Sequence, residues 1–459
     1  MVNKVKQTIR PIVNIILASL VMFFAGCPQP APPPGWSYIF SVTPSPDSSK
    51  VAFIGSCVPN KLYGSFITSN AQLTTIDSTM FIFSTMLQIT PDSAMVVYTN
   101  TKGILSVSPI LASNPVFIDY AQSFQIAPDG KMVVYLKNVS ASTASLYVNS
   151  LPQPGIAVQI DMDVNTFLLT QDSQSVVYTK GSSDNLYSSL LTASLPVSID
   201  TGVNNFTVTS DSKEVVYTNT SNDLFSSPIT ASVPVQIDSS IVSFQVTQDG
   251  QRIVYTKGSS GDLYSSPITT SSPVLIDTGV DGFTVTADSG SIIYTKSSAL
   301  TSQCGSMIWN VIPLNDLYSS PVTTSVPVLI DRGITNFIVT QDSKKIVYAK
   351  PCGSTLYSSP LTAGIPVQID SGVMTFQVTP DSNYVVYTKV SSNDLYSSTI
   401  AMGTPVLIDT KVSDFTMTPD SKYILYIKPH AYGSGLYSSP LTVGSPVTID
   451  ENPPCPRPN

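Results

Sequence analysis

Phe376-Gln377-Val378-Thr379-Pro380-Asp381-Ser382-Asn383-Tyr384-Val385-Val386-Tyr387-Thr388-Lys389 is the stretch that decides the fold. Phe376 to Thr379 alternates apolar and polar residues, the period of a half-buried strand. Pro380 to Asn383 is turn chemistry: proline presets its own φ, and Asp and Asn side chains bond their own backbone. Val385-Val386-Tyr387 is a continuous β-branched and aromatic run, as expected of a strand covered on both faces. Leu395-Tyr396-Ser397-Ser398 then begins a third strand, and Pro405-Val406-Leu407-Ile408-Asp409 makes a fourth.

The unit recurs through nearly the whole chain. Its turn aspartate falls at Asp47, Asp92, Asp129, Asp172, Asp211, Asp249, Asp288, Asp342, Asp381 and Asp420, with 39 residues the commonest spacing. Ten copies of a four-stranded unit, with no segment of helical period, predict an all-β fold: a β-propeller of ten four-stranded blades. Two smaller rings would need a linker, and no Pro/Gly-rich break interrupts the array, so a single ring is expected. The predicted fourth strand regularly begins with proline (Pro196, Pro234, Pro273, Pro327, Pro366, Pro405, Pro446), which suits an unpaired outer edge.

Ala127-Pro128-Asp129-Gly130-Lys131-Met132-Val133-Val134-Tyr135 and Thr418-Pro419-Asp420-Ser421-Lys422-Tyr423-Ile424-Leu425-Tyr426 resemble the S-P-D-G-K-x-I-A-F core of the WD40-like (PD40) repeats of TolB-type propellers. Most copies carry Ser for Gly, and several carry Gln, Ser or Ala for Pro. A looser likeness to the Y-V-T-N repeats of microbial surface propellers is found at Val97-Tyr98-Thr99-Asn100. The resemblance implies a fold and leaves function open, because propellers host many unrelated activities.

Residues 1–26 read as a signal peptide. Lys4, Lys6 and Arg10 are a basic start, and Ile12 to Ala25 is apolar apart from Asn14 and Ser19. Phe24-Ala25-Gly26-Cys27 resembles the lipobox of bacterial lipoproteins, with Phe24 where leucine is usual. The resemblance implies an acylated Cys27 and attachment to a membrane through that lipid. A plain secretory signal or a retained helix are the alternatives, although the run is short for a span of about 20 residues. A Pro-rich tether fills residues 27–35, the propeller 36–451 and a tail 452–459. Pro28, rather than Asp, after the cysteine implies sorting to the outer membrane.

The formal charge of −8 falls to −11 without the three basic residues of the signal, and Arg252, Arg332 and Arg457 are then the only arginines. Nucleic acid needs a basic, Arg-rich surface, so it is excluded as a partner. Cys57, Cys304, Cys352 and Cys455 remain in an exported chain and are read as disulfides. Four cysteines allow three pairings. In a closed ring, Cys57 of unit one and Cys455 of unit ten are neighbours on one face, as are Cys304 and Cys352 of units seven and eight. Topology therefore favours Cys57–Cys455 and Cys304–Cys352, the first clasping a ring that has no shared closing strand.

An Ile-Asp ends every unit, which would set ten carboxylates on one face. The functional reading is a cation site. Strict recurrence favours turn capping, and the lysines that end the second strands (Lys137 and Lys180 among them) sit on the same face to offset the charge. A second series, Asp184, Asp223, Asp262, Asp316 and Asp394, is a weak candidate for metal or glycan contact against the same turn-forming alternative. The break in the pattern is an insertion in unit seven, Ser297 to Asn315. Its Met307, Ile308 and Trp309, with His430 and Tyr432 in the equivalent loop of unit ten, form a candidate binding loop; the alternative is that they cover the ring opening.

Enzyme readings find little. A Ser-His-Asp set would rest on His430, the sole histidine. The reading that results is a monomeric, non-catalytic scaffold without cofactor on the cell envelope, contacting a protein or glycan. The alternatives are a polysaccharide hydrolase or lyase using channel carboxylates, and a mainly structural surface protein.

Overall fold

The computed structural model describes residues 39–450 apart from 56–59, 69–72, 79–85, 139–142, 194, 302–312, 352–353, 363, 402–403 and 431–432. These residues form ten four-stranded antiparallel sheets, each from four consecutive strands in the order first to fourth, and no helix occurs among them. The sheets are the ten blades of a propeller ring.

Blade six shows how the repeat becomes a blade. Its strands are Ile241–Val246, Arg252–Lys257, Asp262–Pro267 and Val274–Asp277. Ile253, Val254 and Tyr255 of the second strand have no solvent exposure. This is why the run does not alternate: both faces lie against other blades. Val254 packs with Ile292 and Tyr294 of blade seven, while Ile253 and Tyr255 pack with Val216 and Leu224 of blade five. Each interface thus has its own apolar cluster, as expected where a blade cannot bury its faces alone.

The fourth strand carries a register shift. Leu263 faces Asp277 but Tyr264 faces Leu275, so Ile276 is the extra residue. The shift recurs at this place in all ten blades. Such a bulge re-aims the residue that follows it: Ile276 is buried, and Asp277 reaches the next blade. Each proline expected to open a fourth strand stands just before it, as Pro273 precedes Val274–Asp277. Lacking an N–H, it ends the hairpin without taking a ladder position.

The T-x-D-S turn explains why serine replaces glycine. In blade eight, Thr340 donates to Asp342 Oδ1 at 2.7 Å, and the Lys344 amide donates to the same oxygen at 3.1 Å. Ser343 takes the left-handed φ of 57° that this turn requires. Gly130 and Gly250 do the same without strain, but the serine hydroxyl adds a bond. Ser343 Oγ accepts the Asp288 amide of blade seven at 3.0 Å, and Ser382 Oγ accepts the Asp342 amide of blade eight at 3.0 Å.

The same bond closes the ring. The Asp420 amide of blade ten donates to Ser48 Oγ of blade one at 2.9 Å, and the Ile39 amide donates to Ser434 Oγ at 2.9 Å. Ser438 Oγ donates to the Ile67 carbonyl at 2.5 Å. Val51, Phe53 and Ile67 pack with Leu425, Leu436 and Ile449 across the seam. Blade one and blade ten each supply their own four strands, so closure uses side chains and packing rather than a shared strand.

Candidate functional site

The first-to-second turns and the third-to-fourth hairpins share one face. The second-to-third connections and the ends of the fourth strands share the other, called the distal face below. Among the described residues, the Ile-Asp carboxylates, the second acidic series and His430 lie on the distal face, and the turn aspartates on the other.

The Ile-Asp carboxylates lie here as joints between blades. Asp238 ends blade five; its Oδ2 accepts the Tyr255 hydroxyl of blade six at 2.8 Å, and Lys257 Nζ lies 2.9 Å from its Oδ1. The Ser239 amide caps the same oxygen at 2.8 Å. Lys257 also sits 5.0 Å from the centre of the Tyr264 ring, which stacks on Tyr255 with centroids 5.8 Å apart. The joint is therefore a carboxylate, a buried phenol, an ammonium and a stacked ring drawn from two blades. All seven lysines that stand two residues after the buried second-strand tyrosine, Lys137 to Lys428, pair with the preceding blade's aspartate, at 2.6 to 3.0 Å.

Electrostatics follow from this geometry. Burial pushes Asp238 towards its neutral form, but Lys257, the Ser239 amide and Tyr255 outweigh it and hold the carboxyl below its ordinary pKa. Asp119, Asp161, Asp277, Asp370 and Asp409 behave alike. The Tyr255 phenol is pushed up by burial and by Asp238. A general acid needs a pKa near the working pH, and these carboxylates have moved the other way. The turn aspartates on the opposite face are engaged too: Asp47 is held at about 2, burial being outweighed by bonds from Ser45 and Ser49.

Three joints depart from the pattern. Asn100 stands in place of lysine opposite Asp77, which keeps the Tyr98 hydroxyl at 2.8 Å. Asn219 replaces lysine opposite Asp200, which keeps Tyr217 at 2.6 Å. At the seam, Phe53 and Gly55 stand where tyrosine and lysine are found elsewhere. Asp450 is 7% exposed there, and after burial itself its charge is what raises the Tyr63 pKa.

The second acidic series is dispersed over five blades and engaged locally. Asp184, at a φ of 48°, accepts Asn165 Nδ2 at 2.6 Å. The Asp223 amide donates to Asn219 Oδ1 at 2.9 Å, and Asp262 opens the third strand of blade six opposite Lys257. Asp316 is buried, with Arg332 at 3.5 Å and the Gly333 amide at 3.2 Å. Asp394 accepts the Lys411 amide at 3.3 Å. Among the described residues, no three His, Cys, Asp or Glu side chains come together as a metal set.

The insertion of blade seven differs from the loop expected for Ser297 to Asn315. Its arms continue the sheet: the second strand runs Ser291–Thr301 and the third Pro313–Pro321, with Ser297 opposite Asn315 and Thr301 opposite Pro313. The fourth strand lengthens to Val328–Ile334 and places Ile334 against Asn315. Added backbone finds ladder partners in this way, as its N–H and C=O groups require. Met307, Ile308, Trp309 and Tyr432 lie outside the described residues, as do Cys27, Cys57, Cys304, Cys352 and Cys455. His430 ends a lengthened second strand of blade ten, Tyr423–His430, with Nε2 at 2.8 Å from the Tyr437 hydroxyl.

A further break was missed in the sequence. Phe117 and Tyr120 of blade two, and Ile156 and Met162 of blade three, are more than half exposed on the outer rim. Comparing single columns would have found them: the position of Phe117 is Ser198, Gln236 and Gln368 elsewhere, and that of Tyr120 is Thr201, Ser239 and Ser371.

No family model matches the chain, and no curated protein does. Solved structures resemble it in fold. A eukaryotic initiation factor is 11% identical, with a TM-score of 0.48, over 80% of this chain and 96% of that one. Tricorn protease is 11% identical, with a TM-score of 0.32, over 90% and 58%. The GH74 enzyme of Niastella koreensis is 12% identical, with a TM-score of 0.35, over 90% and 78%. At such identities the likeness concerns the fold alone.

Proposed function

We propose that the chain is a TolB-type (WD40-like) propeller lipoprotein, held at the outer membrane by a lipid on Cys27. It acts as a non-catalytic scaffold that meets a protein or glycan through its distal face. The observation that carries this reading is the state of the recurring carboxylates. Asp119, Asp161, Asp238, Asp277, Asp370 and Asp409 are held below the ordinary carboxylate range and committed to blade-to-blade joints, which leaves little for acid–base chemistry. Specific recognition needs asymmetry, and the extended hairpin of blade seven supplies it on the distal face. The disulfides Cys57–Cys455 and Cys304–Cys352 belong to the same proposal.

The test is photo-crosslinking on intact cells, comparing the full chain with one lacking residues 302–312. The expected result is one dominant adduct that disappears with the hairpin tip. Turnover of a polysaccharide or peptide that vanishes when one acidic residue is changed would overturn the reading.

A further inference from the structure

We propose that the outer rim of blades two and three is a membrane-contact surface, on which the propeller leans against the bilayer that holds its lipid. The proposal rests on the Cys27 anchor reading and adds an orientation to it.

Fourth strands end the sheets, so one edge and one face of each meet solvent. On the rims of blades four to ten, one or two large apolar side chains are exposed, such as Leu195, Leu275, Ile365 and Leu407. In blade two, Val116, Phe117 and Tyr120 are exposed by 40%, 54% and 53%, and the two rings contact each other edge to face at 5.7 Å. In blade three, Ile156, Val158 and Met162 are exposed by 95%, 49% and 63%. Six large apolar side chains on two neighbouring rims are a local concentration, since scattered single ones need no explanation. Aromatic and aliphatic side chains together are what enters the headgroup boundary of a bilayer.

The chain outside the structure says which surface covers them. Cys27 lies twelve positions before Ile39, the first described residue of blade one. At about 3.4 Å per residue the tether reaches at most roughly 40 Å. Four strands about 4.8 Å apart make a blade about 15 Å wide. A lipid on this leash therefore reaches the rims beside blade one and falls short of those across the ring. The first strand starts at the distal face, and Tyr120 and Met162, which follow the fourth-strand aspartates, lie on that same face. Anchor exit, Tyr120 and Met162 thus share the distal face, and the rim runs from there to Ile156 in the third-to-fourth hairpin of blade three. Asp119 and Asp161, which flank the rim, are paired with Lys137 and Lys180, which removes the charge that would oppose approach to lipid.

The experiment places one tryptophan on the rim. Full-length chain with Phe117→Trp is inserted through its own lipid into vesicles of three parts phosphatidylethanolamine to one part phosphatidylglycerol, doped with brominated phosphatidylcholine. Leu275→Trp, at the same strand position in blade six and 42% exposed, is the control. Emission is read as the difference from the parent chain, which already has two tryptophans. At least twofold stronger quenching at 117 than at 275 is expected. Equal quenching at both positions, in protein that floats with the vesicles, overturns the rim proposal and leaves the anchor standing. A blue shift at 117 that grows with protein concentration without vesicles means that a second copy covers the rim, and also overturns it. Protein that does not float overturns the anchor reading, and the rim proposal with it.

Discussion

Tyr255→Phe removes one hydroxyl from the joint between blades five and six and leaves its ring in place. The hydroxyl has no solvent exposure and donates to Asp238 at 2.8 Å. Asp238 keeps Lys257 at 2.9 and 3.0 Å and the Ser239 amide at 2.8 Å, so no buried charge is orphaned. The expected cost is that of one hydrogen bond to a charged group, about 1.5–2 kcal/mol. Asp238→Ala strands the phenol as well, and about 3 kcal/mol is expected; Lys257, 31% exposed, recovers water and limits the loss. An array of blades need not unfold in one step, so hydrogen exchange is the suitable assay. Amides of Val235–Asp238 and Arg252–Lys257 should exchange roughly 10- to 30-fold faster in Tyr255→Phe. Exchange within twofold of the parent in both variants would refute the joint as a source of stability. The pH dependence has a fixed sign. The folded carboxyl titrates below its unfolded value, so its contribution is complete above about pH 4 and fades as pH falls through the folded pKa. The difference between parent and Asp238→Asn should shrink on acidification.

Ser382→Ala should cost about 1 kcal/mol by losing the bond from the Asp342 amide while keeping the left-handed φ of 63°. Ser382→Gly loses the same bond but relieves about 1 kcal/mol of backbone strain, so its melting temperature should stay near the parent's. Gly64→Ala would put its Cβ 1.8 Å from the Ile110 carbonyl oxygen of blade two, and a loss of about 3 kcal/mol is expected in thermal unfolding. Non-reducing peptide mapping should join Cys57 to Cys455 and Cys304 to Cys352; a Cys57–Cys304 peptide would contradict the pairing.

The fold was legible because one repeat reports its own strands: the buried run at Val385-Val386-Tyr387 and the turn at Pro380 to Asn383 are local signals. The pairing of lysines with Ile-Asp carboxylates could be anticipated from their shared face. The partners Tyr255 and Ser343 could not, because each acts across a blade boundary and one repeat contains only half of the contact. The serine that most copies carry in place of glycine makes a bond across the blade boundary. The arms of the blade-seven hairpin were hidden by length, since an insertion of polar and apolar residues reads as a loop until a neighbouring strand pairs with it. The rim of Phe117 and Tyr120 was hidden by its strand character, as Val116-Phe117-Ile118 is unremarkable in an edge strand until its exposure is known.

The most direct test of the division between structural repeats and functional exceptions is one affinity comparison. The partner captured by crosslinking is titrated against the parent chain, Asp238→Asn, and the chain lacking residues 302–312. Binding within twofold of the parent for Asp238→Asn, and at least a hundredfold loss for the deletion, is the predicted result. Normal binding by the deletion, with loss of binding in Asp238→Asn, would contradict it.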